Sequence, residues 1–225
     1  MLDVLYEDNH LLAVNKPAGL LSQGDITGEP CLLEAARLYL KEKFAKPGNV
    51  FVGLVHRLDR PTSGVIVLAR TSKGAARLSE QFRLGTVEKT YWAIVEGGPE
   101  TDSGEWTDTL RKDELRNVVE VVAEGAPGGQ PAALAYKVLG RSANRSWLEV
   151  KPVTGRSHQI RVQLAARELP IVGDKKYGAT STLMALDGKP RVALHARCLS
   201  FNHPTKKEAM SVTAEVPADW PWRSV

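Results

Sequence analysis

The run His56-Arg57-Leu58-Asp59-Arg60-Pro61-Thr62-Ser63-Gly64 places one carboxylate between two guanidiniums. Flanking positive charge favours the ionised form of an Asp. An ionised Asp at the edge of a rigid scaffold is a candidate nucleophile or general base. On residue types alone, an Asp between two Arg is more often a turn residue in surface ion pairs, because short motifs also match by chance. The neighbouring elements locate it. Residues 51–55 and 65–69 are short, apolar, β-branched runs bounded by Gly or Pro, the pattern of buried strands. The stretch between them must then be a loop or bulge leaving a sheet. Pro61 removes a backbone donor there and Gly64 allows unusual dihedrals.

A second stretch with chemistry in it is Thr154-Gly155-Arg156-Ser157-His158-Gln159-Ile160-Arg161-Val162. Ser157 is the expected N-cap of a helix that residues 162–167 continue, and Gly155 permits close backbone approach. A helix start with free backbone donors and Arg beside it is a natural anion site. His158 in such a place is more often a capping or core histidine than a proton shuttle, so its expected role is structural. Two further residues stand at strand positions. Tyr91 lies in a strand over residues 87–96 and by itself reads as a core aromatic. Lys16-Pro17-Ala18-Gly19 breaks a strand over residues 11–15, where a Lys is often only an exposed turn residue.

Composition sets the bounds. With 225 residues the chain can bury a substantial core as one domain. Its 43% hydrophobic and 25% charged content is that of an ordinary globular protein. The net charge of +4 permits an anionic partner without demanding one. Residues 141–176 hold eight Lys/Arg against three Asp/Glu, and residues 97–125 hold three against eight. That asymmetry suggests one face for phosphates and another for solvent. Cys31 and Cys198 are isolated and read as core fillers rather than a disulfide. His10, His56, His158, His195 and His203 show no metal-ligand spacing, so no metal site is expected. The N-terminus lacks a basic start and a long apolar run. No signal peptide and no transmembrane segment are expected, and the default compartment is the cytoplasm.

Taken in order, strands are expected at residues 4–6 and 11–15, joined through the turn pair Asp8-Asn9. An amphipathic helix follows over residues 31–44, and another over 72–84, with Ser72 as N-cap, Gly85 as C-cap and Ala75, Leu78 and Phe82 as its buried stripe. Arg70, Lys73, Arg77 and Arg83 lie around that helix and could meet phosphate. Residues 97–129 are irregular, read as a peripheral excursion with a strand at 118–123. Strands at 132–139 and 146–153 form a hairpin. Residues 179–191 look like a loop with little order, and the last strands fall at 192–202 and 210–216. Trp220 and Trp222 are expected to dock the tail. Strands outnumber helices and often follow one another as hairpins, which predicts an α+β domain with a largely antiparallel or mixed central sheet flanked by helices and loops. Nothing marks a linker, so residues 1–225 are expected to be a single catalytic domain.

The motifs resemble a known family. His-Arg-Leu-Asp-Arg-x-Thr-Ser-Gly-Val, the Asn-Lys-Pro-x-Gly at residues 15–19, the Lys-x-Tyr at 89–91 and the Thr-Gly-Arg-x-His-Gln-Ile-Arg at 154–161 are similar, in family order, to the signatures of RluA-type pseudouridine synthases. The Leu-His-Ala at residues 194–196 also recurs there. The resemblance implies isomerisation of uridine in ribosomal or transfer RNA to pseudouridine, with no metal and no organic cofactor. It implies that Asp59 is the essential carboxylate, that Arg161 pairs with it, and that Tyr91 packs on the flipped uracil. Arg57 would open the RNA or fill the vacated position. Lys16 and Pro17 would shape the cleft, and Lys16, Arg57, Arg60 and Arg156 are the residues expected on the substrate side. Many relatives carry a small S4-like RNA-binding domain, which is expected to be absent here, so the grip on RNA would come from the catalytic domain itself. No membrane, no obligate protein partner and a monomer are the accompanying expectations. Two other classes remain. One is a catalytically silent RNA-binding module of the same fold. The other is a glycoside or nucleoside hydrolase, which usually needs paired carboxylates, and no second acid recurs near Asp59 in the motifs.

Overall fold

The computed structural model describes residues 2–186 and 188–222. In chain order the elements are β1 (Val4–Glu7), β2 (Leu11–Lys16), α1 (Leu32–Lys43), β3 (Gly53–Leu54), β4 (Ser63–Ala69), α2 (Ser72–Leu84), β5 (Glu88–Glu96), β6 (Ser103–Asp113), β7 (Val118–Val122), β8 (Gln130–Arg141), β9 (Arg145–Pro152), α3 (Gln159–Ala165), a 3-10 turn (Lys175–Tyr177), β10 (Leu194–Asn202) and β11 (Ala209–Thr213). This is the α+β class. The chain packs as two units, residues 1–88 with 196–217, and residues 89–195 with 218–225.

In the first unit β2 lies antiparallel to both β1 and β4. All seven residues of β4, Ser-Gly-Val-Ile-Val-Leu-Ala, are buried. A strand covered on both faces needs a continuous apolar run rather than alternation. Gly64 is the one residue type its place allows. It sits at φ 116°, and a Cβ there would come within 2.3 Å of the Ala196 carbonyl oxygen. β10 and β11 pair antiparallel from Cys198↔Thr213 to Asn202↔Ala209. α1 buries Leu32, Ala36 and Leu40, one stripe four residues apart. α2 spans the expected residues, but its N-cap is Thr71, not Ser72, and the Thr71 hydroxyl accepts the Gly74 N–H at 3.1 Å. Gly85 closes it in the left-handed region, as the sequence indicates. The expected strand at 51–55 shrinks to Gly53–Leu54.

The second unit is an antiparallel ladder in the order β5-β9-β8-β6-β7. The stretch 97–129 is therefore more than an excursion. It contains the eleven-residue β6, which pairs with β7 on one side and β8 on the other. Its sequence, Ser-Gly-Glu-Trp-Thr-Asp-Thr-Leu-Arg-Lys-Asp, hides the strand because polar residues fill the exposed face. Behind the ladder Leu110, Val119, Ala132 and Val162 form a small core against Tyr177. The acidic and basic segments also do not separate into two faces: Arg141 pairs with Asp102 at 2.9 Å and Arg167 with Asp108 at 2.9 Å.

The loop after residue 178 is tied down rather than loose. Glu96 accepts Thr180 N–H (2.9 Å), Thr180 Oγ1 (2.8 Å) and Ser181 N–H (2.7 Å), and also the Ser181 hydroxyl. Burial works against the Glu96 charge, but these donors overcome it and hold the carboxyl at about 2. Trp220 docks edge-on to His195, with ring centroids 6.0 Å apart. Cys31 and Cys198 are free thiols. Among the described residues no helix is long and apolar enough to cross a membrane.

Candidate active site

Asp59, Lys16, Arg57 and Arg60 belong to the first unit; Tyr91, Arg156 and Arg161 belong to the second. Asp59 is half-buried on the loop that joins β3 to β4. The loop turns there because Thr62 N–H bonds to the Asp59 carbonyl at 3.0 Å. Three anchors hold it. Ser22, buried, donates its hydroxyl to Leu58 O (2.8 Å) and accepts Leu58 N–H (3.2 Å). The His56 ring accepts Val67 N–H at Nε2 (3.0 Å) and stacks on Phe82 of α2 at 4.5 Å. Gly19 N–H bonds to Arg60 O at 2.8 Å.

Beneath the turn lies Lys16, at the end of β2 and 0% exposed. Its ammonium donates to Leu20 O (2.8 Å), Pro17 O (3.0 Å) and Arg60 O (3.3 Å). Burial pulls its pKa down to about 7, while the Asp59 carboxylate pushes it up and Arg60 pushes it down. With all three donors spent on backbone oxygens, Lys16 shapes the loop from behind. Its full burial agrees with the cleft-shaping part that the resemblance implies for Lys16.

Arg60 is also engaged. Its Nη1 and Nη2 grip Glu29 at 3.1 and 2.5 Å, and its Nε donates to Gly19 O at 3.1 Å. Thus the loop over residues 19–29 is tethered to the Asp59 turn. Arg57 is exposed, and among the described residues its guanidinium makes no hydrogen bond or ion pair.

In the second unit α3 is shorter than expected. His158, not Ser157, is the N-cap; it sits at φ 51° and makes no side-chain cap. The Gln159 side chain instead organises the preceding loop. Its Oε1 accepts Thr154 Oγ1 (2.7 Å) and Arg156 N–H (3.1 Å), and its Nε2 donates to Ala133 O (3.0 Å). Arg156 is exposed and donates Nε to Pro131 O at 3.1 Å.

Arg161 is buried on α3 and makes a two-point ion pair with Asp174, Nε to Oδ2 at 2.7 Å and Nη2 to Oδ1 at 2.8 Å. Its guanidinium lies over the Tyr177 ring, 5.0 Å from the centroid. The Tyr177 hydroxyl accepts Val119 N–H (3.0 Å) and meets His158 Nδ1 (2.7 Å). So the plane of Arg161 is set from two sides. Sequence reasoning covered residues 170–178 but gave Asp174 and Tyr177 no role. The signal was available in part: a buried Arg requires a carboxylate, and Gly173-Asp174 follows a helix end. Tyr91 is half-buried on β5, opposite Val150 of β9. Among the described residues no cluster of His, Cys, Asp and Glu could hold a metal ion.

A family model described as RNA pseudouridylate synthase matches residues 10–166. The dual-specificity RNA pseudouridine synthase RluA of Haemophilus influenzae is 38% identical over 219 residues, covering 95% of this chain and 93% of that one. The tRNA pseudouridine synthase C of Yersinia pestis is 34% identical, covering 100% of this chain and 90% of that one. The ribosomal large subunit pseudouridine synthase C of Vibrio vulnificus is 34% identical over 94% of this chain, which spans 64% of that relative's length. Among solved structures, human RNA Pseudouridylate Synthase Domain Containing 4 superposes with a TM-score of 0.80 at 27% identity, over 97% of this chain and 90% of that one. The matched span runs through the Asp59 loop and α3 alike, and on that span the chain belongs to the RNA pseudouridylate synthase family.

Proposed function

We propose that the chain isomerises uridine to pseudouridine within ribosomal or transfer RNA, with Asp59 as the essential carboxylate. The N-glycosidic bond breaks, the uracil turns while it is held, and its C5 bonds to the ribose carbon as the C5 proton leaves and the freed N1 takes one up. Atoms balance without an oxidant, a metal or an organic cofactor. Relatives named for ribosomal RNA, for tRNA and for dual specificity support RNA as the substrate class. The observation that carries the role of Asp59 is its loop: a half-buried carboxylate on a turn fixed by Ser22, His56 and the buried Lys16 ammonium.

The remaining assignments belong to the same proposal. Tyr91 packs on the flipped base. Arg161 is the guanidinium that serves the reacting carboxylate, with its plane preset by Asp174 and Tyr177. Arg57 and Arg156, both exposed, meet the RNA. Residues 1–225 work as one catalytic domain, monomeric and cytoplasmic, without an obligate protein partner. The test is tritium release from C5-labelled uridine in RNA. Asp59→Ala should abolish release while RNA binding persists. Undiminished release would remove Asp59 from its role, and free uracil as the product would make the chain a hydrolase.

A further inference from the structure

The basic residues on α2 take no part in the reaction just described. Lys73 and Arg77 stand one helical turn apart on α2. The turn between β10 and β11 adds Lys206 and Lys207. Where helix and turn meet there is a cavity of about 430 Å³, lined by Arg77, Gln81, Asn202, His203, Pro204 and Lys207. Among the described residues no carboxylate lines it.

The walls of this basin are built. The Gln81 amide donates to Asn202 O (2.8 Å) and accepts Asn202 N–H (2.9 Å). His203 meets Asp8 through Nε2 at 2.8 Å and accepts Lys206 N–H at Nδ1 (3.0 Å). Arg77 gives one Nη1 bond to Pro204 O at 2.7 Å and has no carboxylate partner among the described residues. Lys207 is fixed in the left-handed region at φ 63°, with its N–H on His203 O at 2.9 Å. Its ammonium has no partner among the described residues. One guanidinium with donors to spare and one ammonium thus line the same concavity. A planar fork beside a point charge is the pairing that recognises phosphate, and the volume accommodates a phosphate with its sugar.

We propose that this basin binds a backbone phosphate of the RNA, at a contact sharing no residue with the Asp59 loop. The proposal rests on the chain binding RNA but not on the reaction it performs. A polyanion with phosphates in series favours several spaced cationic contacts, each releasing counterions. The test is filter binding of the full chain to large-subunit ribosomal RNA and to bulk tRNA over a salt series. The variants are Lys207→Gln, Arg77→Gln, the pair, and the charge-keeping Arg77→Lys. Lys207→Gln breaks no side-chain bond, so a loss of affinity in that variant cannot come from a disrupted fold. The pair should weaken binding about tenfold at low salt and reduce the slope of log K against log salt by about 1, while Arg77→Lys keeps the slope. Equal affinity and slope in all variants would overturn the basin's role. Broadening of the phosphorus resonance of inorganic phosphate that the pair abolishes, with RNA affinity unchanged, would overturn the assignment to RNA. A native chain that binds neither RNA overturns this proposal and the RNA substrate class together, whereas lost tritium release with intact RNA binding leaves the basin standing.

Discussion

Lys16 and Arg161 are both buried cations in candidate functional regions, yet the protein balances them in opposite ways. Lys16 in the first unit is surrounded by three neutral carbonyl oxygens. Arg161 in the second is met by a full negative charge, the two-point carboxylate of Asp174. Dipoles stabilise an ammonium without cancelling it, so below about pH 7 a net positive charge stays beneath the Asp59 turn. A two-point ion pair grips the guanidinium at two nitrogens. What it leaves is geometry: a guanidinium whose plane cannot turn. On the proposed reaction, Lys16 would act electrostatically on the loop that carries the carboxylate, and Asp174 by orientation. Each substitution below tests one half of that contrast.

The largest effect should come from Asp174→Ala. It strands the Arg161 charge in the interior, and breaking a buried pair from one side costs ~3–5 kcal/mol. Urea unfolding should report that loss, and tritium release should fall below detection. Replacing both partners, Arg161→Leu with Asp174→Leu, removes the unpaired charge and should restore most of the stability. Activity should stay absent in the double variant. If activity returned with the stability, orientation of the guanidinium would have no part in the reaction.

The next effect separates charge from shape at Lys16. Below about pH 7 its ammonium is protonated in both the folded and the unfolded chain, and the folded state bears the whole cost of burying it. Between about 7 and the ordinary value of 10.5 the unfolded chain keeps a proton that the folded chain has released. There the unfolded state binds more protons, so stability rises with pH. Relative to Lys16→Met, the native chain should therefore gain stability across that window, by up to about 1.4 kcal/mol per pH unit. Activity should move the other way. Lys16→Met should be about tenfold slower than the native chain below pH 7, a factor of roughly 1.4 kcal/mol in barrier. That gap should narrow above pH 7 as the native lysine itself loses charge. A gap that is constant with pH would mean that only the shape of the lysine matters.

The sequence made the first of these regions more legible than the second. Asp59, Gly64 and the apolar β4 lie within eleven residues, so local pattern alone located the turn. The supports came from further away. Ser22 reaches Leu58 across 36 residues, and nothing in its polar, Gly-rich surroundings announces that. Asp174 is 13 residues from Arg161 but beyond the end of its helix, where no periodic spacing connects them. The N-cap of α3 falls one residue later than the sequence suggests: Ser157 has the right chemistry, but His158 takes the cap position with a left-handed dihedral. β6 was missed because tertiary pairing on both sides, not β-branched composition, holds it.

The smallest effect should come from Glu29, and it decides what Arg60 is for. The Arg60–Glu29 pair is about half exposed, with side chains 46% and 45% accessible. Exposed pairs contribute at most ~1 kcal/mol, so Glu29→Gln should barely move the unfolding midpoint. Two roles for Arg60 then give opposite results. If Arg60 meets RNA phosphate, as the sequence suggests, Glu29→Gln frees its fork and RNA affinity should rise. If Arg60 tethers residues 19–29 to the Asp59 turn, RNA affinity should stay level and turnover should drop a few-fold as the turn loosens. The geometry favours the tether, since Nε, Nη1 and Nη2 already bond within the protein. Arg60→Lys should mimic the turnover loss, because an ammonium cannot reproduce a fork that grips a carboxylate and a carbonyl together. A rise in affinity without a change in turnover would return Arg60 to the substrate side and leave Lys16 alone beneath the turn.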